Sequence, residues 1–162
     1  MNQLNNVIAL RFYNERYRSE IESFYLDGEQ HQFTALPAEA LQICETDHER
    51  YPVMIMDGST PAGFFVLHEK EGVKQYSKNQ DSILLRAYSI NTPHQGKGIA
   101  KTSIKLLPSF VKENFPDKNE IVLAVNHSNH AAQHVYKACG FEDRGNRVMG
   151  KKGEQFIMHM DL

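Results

Sequence analysis

Apolar residues along the chain fall into runs of two periods, near 2 and near 3.6, and their order outlines a fold. Val7-Ile8-Ala9-Leu10-Arg11-Phe12 reads as a first strand, and Glu15 to Tyr25 carries Tyr17, Ile21, Phe24 and Tyr25 at helical spacing up to Asp27-Gly28. A polar loop is expected to Thr34, then a helix over residues 38–44 with Pro37 at its first turn, where the missing N–H is not needed. Val53-Met54-Ile55-Met56 and Gly63 to His68 predict a hairpin whose connection, Asp57 to Ala62, is longer than two residues. Residues 69–81 are polar and aperiodic and predict a mobile connection. Ile83 to Ile90 is strand-like and leads through Gln95-Gly96-Lys97-Gly98-Ile99-Ala100 into a helix marked by Ile99, Leu106, Leu107, Phe110 and Val111. Pro108 predicts a bend there, and Phe115-Pro116-Asp117 an end. Ile121 to Val125 is a short buried strand, Asn129 or Ser128 caps a helix running to about Cys139, and Gly140 ends it. Phe141 to Val148 and Gln155 to Met160 flank a turn at residues 150–153. Strand, two helices, three strands, helix, strand, helix and two strands give a mixed sheet with helices on both faces, an α/β (α+β) architecture.

At 162 residues the chain predicts one domain, residues 1–162. With 41% apolar and 23% charged residues and a net charge of −2, it has the composition of an ordinary globule, without an apolar run long enough to span a membrane. Met1 to Asn6 lack a basic-then-apolar leader, and Cys44 and Cys139 are too few and too far apart for a disulfide scaffold, so the chain reads as cytoplasmic with both thiols reduced. Charge is uneven: residues 1–60 hold four basic against ten acidic side chains, a balance of −6, and residues 61–162 hold fourteen against ten, a balance of +4. The basic part suits a polyanionic ligand and the acidic part a cationic one, unless the acidic residues are only solvated helix faces. Without a dense basic stripe, and with a pI near 6.4, nucleic acid is not an expected partner.

The glycine loop is an anion site in outline. Glycines let several backbone N–H groups converge, and the start of a helix adds its positive end. Two other phosphate-binding patterns fit poorly. A P-loop would require glycine where Gln95 and Ala100 stand, and an aspartate where the 122–125 run ends in Asn126. A dinucleotide fold would place its glycines near the start of a parallel array, whereas four strands precede this loop.

Gln95, Gly98 and Ala100 fit Q/R-x-x-G-x-G/A, and Asn129-His130-Ala131-Ala132-Gln133-His134-Val135-Tyr136-Lys137-Ala138-Cys139-Gly140-Phe141 fits N-x-x-A-x-x-x-Y-x-x-x-G-F at every named position. In this order and spacing the two segments resemble the coenzyme A loop and the following helix of the GNAT superfamily of N-acetyltransferases, over about residues 82–141. The resemblance implies a mostly antiparallel sheet of about seven strands, splayed between the fourth and fifth. It also implies acetyl-CoA as cosubstrate, with no metal. The cofactor contacts it suggests are backbone at Ser89 and Ile90, N–H groups from Gln95, Gly96, Lys97, Gly98, Ile99, Ala100 and Lys101, and Asn129. Asn129 and Tyr136 are seven apart, so on a helix they share a face about 10 Å apart and can touch one elongated ligand; alternatively one only caps and the other only packs.

The implied reaction is acetyl transfer to an amine held beside the thioester, with Tyr136 as the acid toward the departing thiolate and an N–H at Ser89 or Ile90 polarising the carbonyl. The 83–90 strand carries no carboxylate, which leaves water, Glu22 or His31 to take the amine proton. Charge asymmetry favours a small amine or polyamine over a peptide N-terminus as acceptor, in a monomer or homodimer. A non-catalytic acyl-CoA-binding domain would keep the loop without using Tyr136. His127, His130 and His134 have metal-compatible spacing but lack the glutamate of H-E-x-x-H, and read as surface and cap residues. Arg86 and Tyr88, on the strand face of Ile90, are candidates to line the acceptor pocket.

Overall fold

The computed structural model describes residues 7–162, the side chain of Glu29 excepted, so the six leader positions considered above lie outside it. Seven strands, β1 (Ile8–Phe12), β2 (Arg50–Asp57), β3 (Thr60–His68), β4 (Ser82–Ile90), β5 (Glu120–Asn126), β6 (Glu142–Gly150) and β7 (Gly153–Asp161), form one sheet in the order β1-β2-β3-β4-β5-β7-β6. Every neighbouring pair is antiparallel except β4 and β5.

Among the described residues five α-helices accompany the sheet: α1 (Arg18–Glu22), α2 (Gly28–Phe33), α3 (Pro37–Cys44), α4 (Ile99–Asn114) and α5 (His130–Ala138). They lie on both faces because alternate strand positions are apolar on both faces. Ile83, Leu85, Ile121, Leu123 and Val125 pack under Ile104, Leu107 and Val111 of α4 and Tyr136 of α5. On the other face Met54, Met56, Phe64 and Val66 meet Ile21 of α1 and Ala40 and Leu41 of α3. A fully buried side chain of this size contributes about 1.5–3 kcal/mol, so β3, whose residues from Pro61 to His68 are all buried, anchors both layers.

Local chemistry departs from the sequence expectation in three places. Asp27 does not close a helix but opens one: its carboxylate accepts the Gln30 N–H at 2.9 Å, and α2 occupies the expected loop. The β2–β3 connection is two residues, Gly58-Ser59, because Pro61 and Ala62 already belong to β3 and a bulge absorbs the offset. Residues 70–73 form a turn of 3₁₀ helix whose Val73 is buried against Leu84 and Val122, which ties the expected mobile connection to the sheet. Helix α4 runs through Pro108 and ends at Asn114 with Phe115 as its cap, where the sequence places its stop.

Candidate functional site

The sheet opens between β4 and β5. Their parallel pairing holds from Ser82↔Glu120 to Leu85↔Leu123 and goes no further, although β4 runs on to Ile90 beside β3 and β5 runs on to Asn126 beside β7. The closed end is stitched by Glu120, a buried carboxylate that accepts from the Ser82 hydroxyl, lies 2.9 Å from His159 Nδ1 and 3.4 Å from Arg144. Desolvation alone would raise its pKa; the hydrogen bonds from Ser82 and His159 outweigh it and hold the carboxyl below the usual range. The open end begins at a bulge. Ala87 has φ +55°, a conformation that costs a non-glycine residue about 1–3 kcal/mol, and two residues of β4 there lie opposite Phe65 alone. Strained backbone at the mouth of a cleft is a signature of a functional position.

The bulge also re-sorts side chains. Arg86 and Ala87 both lie on the α1/α3 side, while Tyr88 and Ile90 lie on the α4/α5 side. Arg86 and Tyr88 therefore do not share a face as simple alternation predicts.

On the α4/α5 side the gap forms a cleft of about 360 Å³ lined by Tyr88, Ile90, Gln95, Ala100, Asn129 and Tyr136 among others. Ile90 turns its main chain into it: the N–H donates to Gln30 Oε1 at 3.0 Å, and the C=O accepts from Gln30 Nε2 at 3.0 Å and Gln95 Nε2 at 3.1 Å. Because backbone groups alternate sides along a strand, the main chain of Ser89 faces β3, consistent with its carbonyl lying against Gly63. Ser89 is fully buried, so the cleft edge of β4 belongs to Tyr88 and Ile90.

At the start of α4 the Gln95 N–H is spent on Thr92 and the Thr102 N–H on Gly98; among the described residues, the N–H groups from Gly96 to Lys101 have no backbone acceptor. Gly96 and Gly98 both have φ +78°, which aims this row outward as a side-chain-bearing residue would not readily do. Ile99 is turned into the core, while Lys97 and Lys101 are exposed. Gly96, Lys97, Gly98, Ile99 and Lys101 thus form the loop at the mouth rather than the cleft wall.

Asn129 both caps and lines. Its Oδ1 accepts the Ala132 N–H at 3.2 Å while the residue borders the cleft. Tyr136 is 9% exposed, packs edge-on against Tyr88 and Phe141, and has no hydroxyl partner among the described residues. Burial raises its pKa, so the phenol stays protonated. Tyr88 differs: its hydroxyl donates toward Ala100 O at 3.2 Å and contacts Ser103 Oγ, which ties β4 to the first turn of α4.

A second cleft, about 550 Å³, lies on the α2/α3 side and shares Arg86, Ala87, Ala124 and Asn126 with the first, so the two meet through the gap. Its charged lining is Arg50, Arg86, Lys151 and Lys152, with His31. Sequence reasoning found only His31 and Arg86 here, because strand β2 and the β6–β7 turn carry no motif. Glu22 lines neither cleft; it joins Glu15 and Glu45 around Arg18. Of the ten acidic residues in the first 60, these three pair on the outer surface and Asp27 borders the first cleft while capping α2, but none among the described residues lines the second, so the premise for a cationic acceptor does not carry into the second cleft. The histidines 127, 130 and 134 form no ligand cluster among the described residues, where three ligand atoms converge instead at Asp47, Glu49 and His68.

Comparison with known proteins gives this geometry a family. Residues 10–141 match the acetyltransferase (GNAT) family. The chain is 44% identical over 153 residues to the Uncharacterized N-acetyltransferase YbbJ of Bacillus subtilis (strain 168), covering 94% of this chain and 96% of that one. The fold is shared with an uncharacterized protein of Bacillus halodurans (TM-score 0.81, 16% identity, 98% of this chain and 86% of that one). It is shared also with AAC(6')-Ib, solved in complex with paromomycin and acetyl-CoA (TM-score 0.77, 16% identity, 96% and 94% covered). A sheet parted after Leu85, a glycine turn opening α4, a helix bearing Asn129 and Tyr136, and a match over most of the sequence lead to one conclusion: the chain belongs to the GNAT family of acetyltransferases.

Proposed function

We propose that the chain, acting as one domain, moves the acetyl group of acetyl-CoA directly to the primary amine of a small molecule held in the second cleft. One observation carries this reading. The main chain of Ile90, unpaired with β5 and bonded only to the Gln30 and Gln95 side chains, and Tyr136, whose hydroxyl has no partner among the described residues, border the same gap between β4 and β5. The pantetheine arm of coenzyme A is an extended chain with two amides, and Gln30 already makes against Ile90 bonds of the kind it would make. Binding then displaces Gln30: a pantetheine N–H takes the Ile90 C=O and the Ile90 N–H is left for the acetyl carbonyl, with Asn129 on the opposite wall. The diphosphate suits the N–H row from Gly96 to Lys101, with Lys97 and Lys101 adding attraction.

With the thioester so placed, the amine nitrogen attacks the acetyl carbon and the C–S bond breaks, its electron pair going to sulfur. The Tyr136 hydroxyl donates to that sulfur, an interaction that strengthens as negative charge develops, and its raised pKa keeps the phenol protonated and able to donate. Main-chain N–H at Ile90 polarises the carbonyl, a role that Ser89 is turned away from. Water or His31 takes the amine proton.

Thiol release from acetyl-CoA across a panel of amines tests this. Release matched by acetylated amine is expected. Thermal stabilisation by acetyl-CoA with no release for any amine would favour a non-catalytic binding domain, and stabilisation by ATP with magnesium instead would contradict the loop assignment.

A further inference from the structure

From the second cleft we infer that the acceptor is an anionic amine, one carrying a carboxylate or phosphate near its amino group, and that Arg86 is the residue that holds that anion. The inference rests on the acetyl-transfer reading and adds the class of acceptor to it.

Arg86 has an unusual position. It is partly buried beside the bulge and borders both clefts, yet no carboxylate among the described residues lies within ion-pair distance. Among the described residues its one side-chain hydrogen bond is from Nη1 to His68 Nδ1 at 3.2 Å. Since a guanidinium only donates, His68 Nδ1 accepts and its proton sits on Nε2, which lies 3.5 Å from Asp47 Oδ2. Asp47 in turn holds Arg50 at 2.9 Å. This chain of Asp47, His68 and Arg86 fixes the fork while leaving most of its five N–H groups for the cleft. Gly72 seals it from behind: a Cβ there would lie 2.3 Å from the His68 ring.

A guanidinium drawn from water without a counter-ion is unfavourable, more so with Arg50 nearby, and such a site is offset by an anion arriving with the substrate. Lys151 and Lys152, on the turn between β6 and β7, extend the same sign around the rim. A polyamine or aminoglycoside would bring further positive charge into this lining. An amine with an adjacent carboxylate instead places the anion on the Arg86 fork and the nitrogen a few atoms away, at the gap through which the thioester is reached.

The test measures kcat and KM by thiol release for two sets of acceptors: the common amino acids and O-phosphoethanolamine in one, spermidine and kanamycin in the other. At least one member of the anionic set should exceed both cations in kcat/KM by about tenfold or more. Which member it is separates carboxylate from phosphate. Arg86→Gln should raise KM for that acceptor roughly 10- to 100-fold with a small change in kcat, and Arg86→Lys, which keeps the charge but loses the fork, should fall between. Preference for spermidine or kanamycin, or an unchanged KM in Arg86→Gln, overturns the inference while leaving acetyl transfer intact. If wild type turns over nothing, acetyl transfer fails; thermal shift with the same anionic compounds and coenzyme A then decides the site alone. Stabilisation of wild type but not Arg86→Gln supports it, and equal shifts overturn it.

Discussion

The two clefts that meet at Ala87 are made of different material. The α4/α5 side is built from main chain: the Ile90 edge, glycines at positive φ and the first N–H groups of a helix. The α2/α3 side is built from side chains, with Arg86 held through His68 and two lysines on a turn. Backbone donors suit a cosubstrate whose form never varies, whereas side chains can be exchanged without disturbing the fold, and so set the acceptor.

Mutations that separate the two sides put that contrast at risk, and the largest effect belongs on the α4/α5 wall of the gap. Tyr136→Phe should lower kcat by about 10²-fold or more, with acetyl-CoA affinity little changed; an unaltered kcat across pH would remove Tyr136 from the chemistry. Next is His68. Burial, with Arg50 and Arg86 beside it and Asp47 opposing, lowers its pKa to about 4. A group depressed below its unfolded value of 6.5 makes stability fall as pH drops from about 6.5 to 4, by up to ~3 kcal/mol. Urea midpoints across that window should fall more in wild type than in His68→Gln; equal slopes would deny the neutral His68 on which the Arg86 platform depends.

Smaller effects sharpen the backbone side. Gly98→Ala and Gly98→Val should both weaken acetyl-CoA binding, by about 1–2 kcal/mol, because each must adopt φ +78° at a place where a Cβ itself meets nothing within 4 Å. Titration showing loss only for Val would shift the cause from conformation to bulk. The smallest is Tyr88→Phe, which removes bonds to Ala100 and Ser103 and should cost about 1 kcal/mol of stability, read by denaturant unfolding, with kcat nearly intact.

The same division explains what the sequence could tell. The Ile83 to Ile90 strand, the glycine turn and the Asn129-to-Tyr136 helix are local segments with their own patterns; they carried the family resemblance, and the parted sheet followed from that resemblance rather than from the patterns themselves. The α2/α3 side depends on placement across distant segments. Nothing local to Arg86 says that a bulge at Ala87 turns it away from Tyr88, and His68 gains meaning only when β3 pairs beside β4. Asp27-Gly28 carried a signal that points both ways, since aspartate before a turn can close one helix or cap the next, and only the Gln30 N–H on its carboxylate decides. Glu120 and His159 were missed because their pairing is set by the register of β5 on β7.

A crystal structure with coenzyme A bound decides whether the parted sheet is the cofactor cleft. Pantetheine should lie between β4 and β5 with an amide bonded to Ile90, the Gln30 side chain displaced, the diphosphate on Gly96 to Lys101 and the sulfur within hydrogen-bonding reach of Tyr136. Coenzyme A bound elsewhere, with Gln30 still paired to Ile90, would contradict it.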